Sequence, residues 1–484
     1  MMAFAITIFV SILVTKMGTR YGMPTLFLFL IVGILFGSEG LGIEFSDYAY
    51  TQDLGSVALA IILFSGGMET RIKEIQPVMW QGVSLSTVGV LLTSFATGFF
   101  IWWLSGMEWS NIHFPLIASL LLAATMSSTD SASVFAILRE KRMNLKHNLR
   151  PMLELESGSN DPMAYMLTIV LIDVAMSASS GMTWDAIAVQ FLKQFAIGAG
   201  LGWACGRLCA FVLNRMQVAN PALSPIMLLS LIFFTFALTA MCEGNSFLSV
   251  YLAGIIMGNR TIERRKEIDN FTEVLAWLMQ IWMFLTLGLL VNPSEMLDMA
   301  LVSVLIGLFM MFVARPLSVF VSLLPFRHVT FKSRLFVSWV GLRGAAPIIF
   351  ATYPVMANVE GCQYMFNIVF FITLLSLIIQ GMSLSAVANW LDLSLPFEDR
   401  NENFGVEIPD ELKASLTERT LTDEDVADAP NLIAMQLPST SLVIMIRRGE
   451  QYVMPNGSLP LRAGDTLLIM EKEMAGKHIC VNLR

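Results

Sequence analysis

Glu154-Leu155-Glu156-Ser157-Gly158-Ser159-Asn160-Asp161-Pro162 opens an apolar run that continues from Met163 to Met176. The run is long enough to span a bilayer, because about 20 helical residues at about 1.5 Å each cover the hydrocarbon core. A carboxylate near the centre of such a helix costs roughly 2.5 kcal/mol or more. A chain that keeps Glu154, Glu156 and Asp161 there is using them. On a helix Ser157 and Asp161 are four apart and share a face, as do Glu156 and Asn160. The first pair can offer oxygens to a cation. The second can lock together as carboxylate and amide. The plain alternative is a helix end at the membrane surface with solvated carboxylates, and the partner motifs elsewhere in the chain weigh against it.

Of 484 residues, 55% are hydrophobic and 14% charged, against about 25% charged in soluble domains. The chain is therefore expected to be an all-α polytopic membrane protein with a polar tail. His113, His147, His328 and His478 are scattered, so no histidine metal site is suggested. Cys205 and Cys209 lie one helical turn apart in an apolar run, and no CxxC motif or disulfide framework appears. Gly158 and Ser159 beside Ser157 hint at a serine nucleophile, but no histidine falls in any span. An enzyme is not expected, no phosphate-cradling loop is present, and no cofactor is implied by the membrane part. Met1 opens directly into an apolar segment without a cleavage site, which reads as a first transmembrane helix.

Apolar windows fall near 1–15, 24–38, 53–68, 79–104, 114–138, 149–174, 186–213, 221–242, 246–258, 271–291, 299–324, 334–357 and 363–391. They predict about 13 transmembrane helices, the segment 246–258 being short enough to be re-entrant. Alternate connections are basic, among them Arg71 and Lys73, the stretch Arg139 to Arg150, and Arg260 to Lys266. The connections between them carry Glu39, Glu44, Asp47, Glu108, Asp173, Asp185, Glu295, Asp298 and Glu360 and no Lys or Arg. The positive-inside rule then places the N-terminus outside and the C-terminal tail in the cytoplasm.

Two spans are interrupted. In the first, Ser127-Ser128-Thr129-Asp130-Ser131 sets hydroxyls and an acid in mid-run, side chains that compete with the helix for backbone hydrogen bonds. In the second, Gly341-Leu342-Arg343-Gly344-Ala345-Ala346-Pro347 breaks the ladder around an arginine. Opened backbone in a membrane is tolerated only where it is buried in protein or lines a cavity. Two interrupted helices in corresponding halves point to a transporter site built from inverted repeats. Arg343 sits too deep to snorkel, and pairing with Glu154 or Glu156 is the natural way to hold it. Glu69, at the end of Phe64-Ser65-Gly66-Gly67-Met68-Glu69, is balanced between a solvated end charge and a site residue. Glu243 and Asn245 read equally as structural or functional. Lys193, Arg207 and Arg315 are expected to snorkel.

The tail after Asp392 holds 15 acids against 9 bases and so carries most of the net charge of −8. The acidity says nothing about the membrane part, and nucleic acid is not an expected partner. Residues 392–429 read as an acidic connector. From 430 to 484, with a start as early as 404, the runs 441–446, 451–454 and 466–470 alternate with turn chemistry such as Pro455-Asn456-Gly457-Ser458. That is a small cytoplasmic α+β domain. Arg447 and Arg448 form an anion-facing pair or a solvated turn.

Glu156-Ser157-Gly158-Ser159-Asn160-Asp161 resembles the Asn-Asp motif of the first cation:proton antiporter family. Thr129-Asp130 resembles its unwound-helix motif, and Gly341 to Pro347 resembles its arginine motif. The resemblance covers residues 1–391. Residues 430–473 resemble the C-terminal lobe of regulator-of-potassium-conductance domains, the TrkA-C type. The combination is similar to bacterial potassium/proton antiporters of the cell-volume-regulation group. The resemblance implies that Asp161 carries cation and proton by turns, with Ser157, Asp130 and the Thr129 backbone completing the shell. It implies that Asn160 holds Glu156 and Arg343 in a structural cluster, with Glu69 and Glu154 as outlying candidates. It also implies a homodimer in the bacterial inner membrane, pH homeostasis and volume regulation as roles, and a nucleotide-type ligand on the tail. With Asn160 in place of a second aspartate, one cation for one proton is the simpler expectation, hence electroneutral exchange of K⁺, or Na⁺, for H⁺. The competing reading is a ligand-gated cation channel with a regulatory tail. It shares the acidic cavity but lacks a filter signature such as repeated Gly-Tyr-Gly.

Overall fold

The fold follows from where apolar runs are long enough to stay helical and where polar residues break them. The computed structural model describes residues 2–21, 24–108, 110, 112–176, 184–216, 220, 222–396, 416–435, 437–438, 441–449 and 451–471. The chain divides into two units, Met1–Pro396 and Phe397–Arg484. In the first unit the helices are α1 (Met2–Tyr21), α2 (Thr25–Phe36), α3 (Tyr48–Glu69), α4 (Ile72–Ser105), α5 (Leu116–Thr125), α6 (Ser131–Glu140), α7 (Leu149–Met176), α8 (Trp184–Arg215), α9 (Leu223–Met241), α10 (Ser246–Gly258), α11 (Arg265–Leu289), α12 (Pro293–Asp298), α13 (Ala300–Ser322), α14 (Phe331–Trp339), α15 (Ala345–Met356) and α16 (Cys362–Trp390). Every apolar window coincides with one helix or with two half-helices. Among the described residues, α3, α4, α8, α9, α11, α13 and α16 are each long and apolar enough to cross a membrane. The windows 114–138 and 334–357 are the split ones, as α5/α6 and α14/α15. A short antiparallel pair, β1 (Met143–Leu145) with β2 (Ser394–Pro396), ties the α6–α7 connection to the chain leaving α16.

The helices pack as two groups. One holds α4 to α7 with α13 to α16, and the other holds α1 to α3 with α8 to α11. The short α10 is gripped from both sides. Gly198, Gly202 and Gly206 of α8, spaced by four, lie on the backbone of Asn245, Ser249 and Ala253, and a Cβ at Gly202 would stand 2.6 Å from the Ser249 carbonyl oxygen. From the other side Gly67 of α3 meets the Tyr251 carbonyl, and Gly254 and Gly258 meet Phe64 and Met68. Lipid tails are as apolar as leucine, so such helices associate by close van der Waals contact, which small residues at four-residue spacing permit. Segment 246–258 is thus a buried wedge. Single π turns interrupt α4 (Leu85–Gly89), α13 (Met310–Ala314) and α16 (Leu377–Gly381).

In the second unit β3 (Leu416–Thr420), β4 (Ser441–Arg448), β5 (Gln451–Val453) and β6 (Thr466–Glu471) form one antiparallel sheet in the order β3-β6-β4-β5. A short α17 (Asp423–Asp428) starts on a capping box between Thr422 and Asp425. Leu421, Ile446, Leu461, Leu467 and Ile469 make its core. The sheet begins at Leu416, inside the stretch that reads from sequence as connector. Arg448 is not anion-facing. It clasps buried Asp465 with Nε on Oδ1 at 2.9 Å and Nη2 on Oδ2 at 2.7 Å, and the Arg462 N–H adds a third bond at 2.9 Å. Burial opposes ionisation of Asp465, but these bonds and the two guanidinium charges outweigh it and hold the carboxyl below the usual carboxylate range.

Two outcomes are expected. Gly202→Val should destabilise the purified protein by about 1–3 kcal/mol through overpacking, read as a lower thermal midpoint, whereas Gly200→Val, whose added Cβ meets nothing within 4 Å, should not. Because the folded carboxyl of Asp465 is depressed, its stabilisation is complete above the unfolded-chain value of about 4 and is lost as pH falls through the folded value. Amide exchange over 441–471 in the whole protein should therefore lose protection on acidification, and Asp465→Asn should flatten that dependence.

Candidate ion-binding site

A helix broken inside a membrane leaves N–H and C=O groups that water cannot reach, each costing several kcal/mol if unpaired. The α5/α6 break disposes of them one by one. The Asp130 N–H donates to the Leu342 carbonyl at 2.8 Å, so the two breaks lie against each other. The Arg343 Nη1 donates to the Ser128 carbonyl. Ser157 on α7 clasps both sides of Asp130, donating to the Thr129 carbonyl at 2.8 Å and accepting from the Ser131 N–H at 3.0 Å. The Asp130 carboxylate caps α6, accepting the Ser133 N–H at 3.1 Å. At the α14/α15 break the Gln380 amide donates to the Trp339 carbonyl at 2.9 Å, and the Arg343 N–H donates to the Ser376 hydroxyl at 3.0 Å. Ser376 in turn donates to Gln380 Oε1 at 2.7 Å. Gly344 is required there, since a Cβ would overlap the Asp130 carboxylate.

Asp161 faces this crossing from α7, buried, with the Ser128 hydroxyl donating to Oδ1. A cavity of about 480 Å³ joins Asp161 and Asp130 to Glu69, Glu154, Arg139 and Arg150. Those last four also line a wider cavity of about 640 Å³ at the end of the bundle that bears the basic connections. Aromatic side chains pack beyond Asp161 along α7. Tyr165, one turn beyond Asp161, stacks edge-on with Phe247 at 4.8 Å and Tyr353 at 5.5 Å between centroids. Tyr353 in turn meets Ser56 of α3 at 3.1 Å. The site is a buried carboxylate reached through the cavity that opens toward the basic connections. It can hold a proton, or a small cation shared with nearby hydroxyl and carbonyl oxygens. Among the described residues no three His, Cys, Asp or Glu side chains converge as a metal site.

Asp161, Asp130, Thr129, Ser157 and Asn160 all come to the crossing, but several partners differ from expectation. The carboxylate–amide lock between Glu156 and Asn160 is not formed. Asn160 donates to the Thr129 hydroxyl at 2.6 Å, a further grip of α7 on the break. Arg343 pairs with neither Glu154 nor Glu156. Glu156 makes its ion pair with Arg315 at 2.5 Å, both side chains all but fully buried, and Arg343 lies in electrostatic reach of the two. Arg315 therefore does not snorkel. A π turn directly precedes it, and one added residue rotates the next helical turn by about 100°. Glu154 pairs with Arg150 at 2.9 Å on the cavity wall. Glu69 lines the mouth. Asn245 caps α10, accepting the Leu248 N–H at 3.0 Å, and donates to the Pro162 carbonyl at 2.7 Å. Exposed Glu243 pairs with Lys193, and Arg207 stacks on Trp203 at 4.2 Å. Ser128 belongs to the hydroxyl run read from the sequence, yet nothing there singles it out from its neighbours. Ser376 and Gln380 carry no sequence signal at all.

The buried ion pair makes a measurable prediction. Removing one partner leaves an uncompensated charge and costs about 3–5 kcal/mol, whereas replacing both with apolar residues is far milder. Glu156→Leu and Arg315→Met should each lower the thermal midpoint sharply, and the double variant should recover much of the loss.

Comparison with known proteins agrees with this architecture. Residues 5–390 match the family described as "Sodium/hydrogen exchanger, transmembrane". The chain is 36% identical over 466 residues to the K(+)/H(+) antiporter NhaP2 of Shewanella baltica, covering 96% of this chain and 79% of that one. It is 42% identical over 390 residues to the K(+)/H(+) antiporter NhaP of Alkalimonas amylolytica, covering 80% and 66%. The sodium proton antiporter MjNhaP1 from Methanocaldococcus jannaschii shares the fold, with a TM-score of 0.69 at 22% identity over 81% of this chain and 99% of that one. A mostly helical membrane bundle with a family match over nearly the whole of its first unit belongs to the sodium/hydrogen exchanger family, a family of cation:proton antiporters and not of enzymes.

Proposed function

We propose that this protein exchanges K⁺ for H⁺ across the bacterial inner membrane by letting the two compete for Asp161. The observation that carries the reading is the buried Asp161 carboxylate at the crossing of two broken helices, joined by a cavity lined with Glu69 and Glu154 to the end of the bundle that bears the basic connections. The names of the relatives favour K⁺ over Na⁺ as the cation. The basic connections make the open end cytoplasmic, with the N-terminus outside. About 13 spans in two inverted repeats are the arrangement that fits the windows and the paired breaks.

The chemistry is one of competition. A cation entering from the cytoplasm meets Asp161, Ser128, the Thr129–Asp130 break and Ser157, which together replace its water. A proton on Asp161 removes the charge that holds the cation. Either occupant neutralises the site, and the empty, charged carboxylate is costly to carry past the apolar side chains on the far side. With Asp130 engaged in capping α6 and Asn160 gripping Thr129 without a charge, Asp161 is the carboxylate that exchanges, which gives one cation for one proton. In a homodimer the α3/α10 group would stand still while the α4–α7 and α13–α16 group moves. The tail would set the balance of states through the ligand or contacts it senses.

Sealed proteoliposomes test this. Proton flux driven by a K⁺ gradient and indifferent to clamped voltage is expected, with Asp161→Asn abolishing it in a protein that still elutes as folded. At acid pH each tenfold rise in proton concentration should raise the apparent KM for K⁺ by up to about tenfold, as competition for one group requires. Flux with Na⁺ alone would change the substrate and keep the mechanism. Cation flux without proton movement would establish the channel reading instead.

A further inference from the structure

The groups assembled around Asp161 come from α5, α6 and α7, all in one helix group. From the other group, Glu69 of α3 and Gln280 of α11 line the same cavity, and Tyr251 of α10 is the polar group that lies directly against α7. Tyr251 on α10 is 2% exposed, and it lines the cavity together with Asp161, Asp130 and Ser157. Its hydroxyl makes no hydrogen bond, although the hydroxyls of Thr70 and Ser159 and the carboxylates of Glu154 and Asp161 are in its neighbourhood. The ring lies on Gly158, three residues before Asp161 and hence on the same face of α7, and a Cβ at Gly158 would overlap it. The close approach is therefore built in from both sides. A phenylalanine would fill the same space without burying an unpaired hydroxyl, which costs free energy. A phenol oxygen offers lone pairs to a cation and a proton to a carboxylate.

Resting on the exchange reading, we infer that the Tyr251 hydroxyl is a ligand for the incoming cation, contributed by the static helix group. Ser128, the Thr129–Asp130 break and Ser157 would travel with Asp161. Tyr251 would not, so its oxygen is available only while the two helix groups stand as they do here. The bound cation would then favour this arrangement by the strength of that one contact. Because the backbone grip of α8 and α3 on α10 fixes the phenol within its own group, and its ring rests on Gly158 of α7, its place beside Asp161 is defined whenever the two groups stand as they do here. A ligand so placed discriminates between cations of different radius better than a freely mobile side chain does.

Tyr251→Phe in the full-length protein isolates the hydroxyl. In proteoliposomes the apparent KM for K⁺ on the cavity-facing side should rise roughly threefold to tenfold, the loss of one neutral oxygen ligand. The maximal rate should hold, and the ratio of KM for K⁺ to KM for Na⁺ should shift. Stabilisation of the detergent-purified protein by K⁺ or Tl⁺, read as a rise in thermal midpoint, should shrink in parallel. A merely structural tyrosine would leave both KM values and the cation-dependent stabilisation unchanged, and that result overturns the inference. If the wild-type protein shows no proton-coupled exchange, the functional reading fails. The stabilisation experiment still decides Tyr251, since equal stabilisation of both proteins, or none of either, rules the hydroxyl out as a ligand.

Discussion

A broken helix inside a membrane must find partners for its backbone, and this molecule meets that demand by laying two breaks across each other. The hydrogen bond from the Asp130 N–H to the Leu342 carbonyl is the closest statement of the constraint. Neither break is stable alone, because the hydrocarbon offers no water to either. Once they are crossed, the remaining groups fall within reach of Ser157, Arg343, Ser376 and Gln380. The long helix α7 supplies the grip on the first break and the π turn of α16 supplies it on the second.

The same crossing arranges the charges. Each break creates helix ends with fixed partial charges, positive at the start of α6 and α15 and negative where α5 and α14 stop. The Asp130 carboxylate lies at the start of α6 and against Gly344 before α15, and the Arg343 guanidinium lies on the Ser128 carbonyl beyond α5. Each ionic side chain thus opposes a helix end of the other sign. Glu156 and Arg315 neutralise each other a turn away, and Asp130 is engaged in capping α6, which leaves Asp161, held by the Ser128 hydroxyl, committed to neither task. That is the requirement for a group that must release whatever it holds.

Around this centre the packing is divided between a tight part and a looser one. Glycines bring α3, α8 and α10 into backbone contact, whereas the two helix groups meet through side chains, among them Leu59, Leu63, Tyr165, Phe247, Phe350 and Tyr353. Polar ties across that boundary include Asn245 to the Pro162 carbonyl and Ser56 with Tyr353. Side-chain contacts of this kind have alternative arrangements of similar energy, and interdigitated backbones do not.

Apolar length, charge alternation and the two polar interruptions determined the helical bundle, the order of its spans and the residues that meet at the crossing. These are local properties: a run of apolar residues must be buried or span lipid wherever it lies. The short strands of the tail were readable in the same way, apart from β3. Its Leu-Thr-Glu-Arg-Thr pattern, on the sheet edge, shows no alternation. Only the tertiary structure decided who pairs with whom. Arg343 and Arg315 are both single arginines in apolar runs, and nothing in their neighbours says which one takes Glu156. A π turn rotates one toward the acid, and an unwound backbone carries the other to a carbonyl. Ser128 became the donor to Asp161, Asn160 turned to Thr129, and Gln380 came to hold a break some forty residues upstream for the same reason. Ion pairs and hydrogen bonds are short-ranged and directional, so their choice depends on where the backbone has already placed both ends.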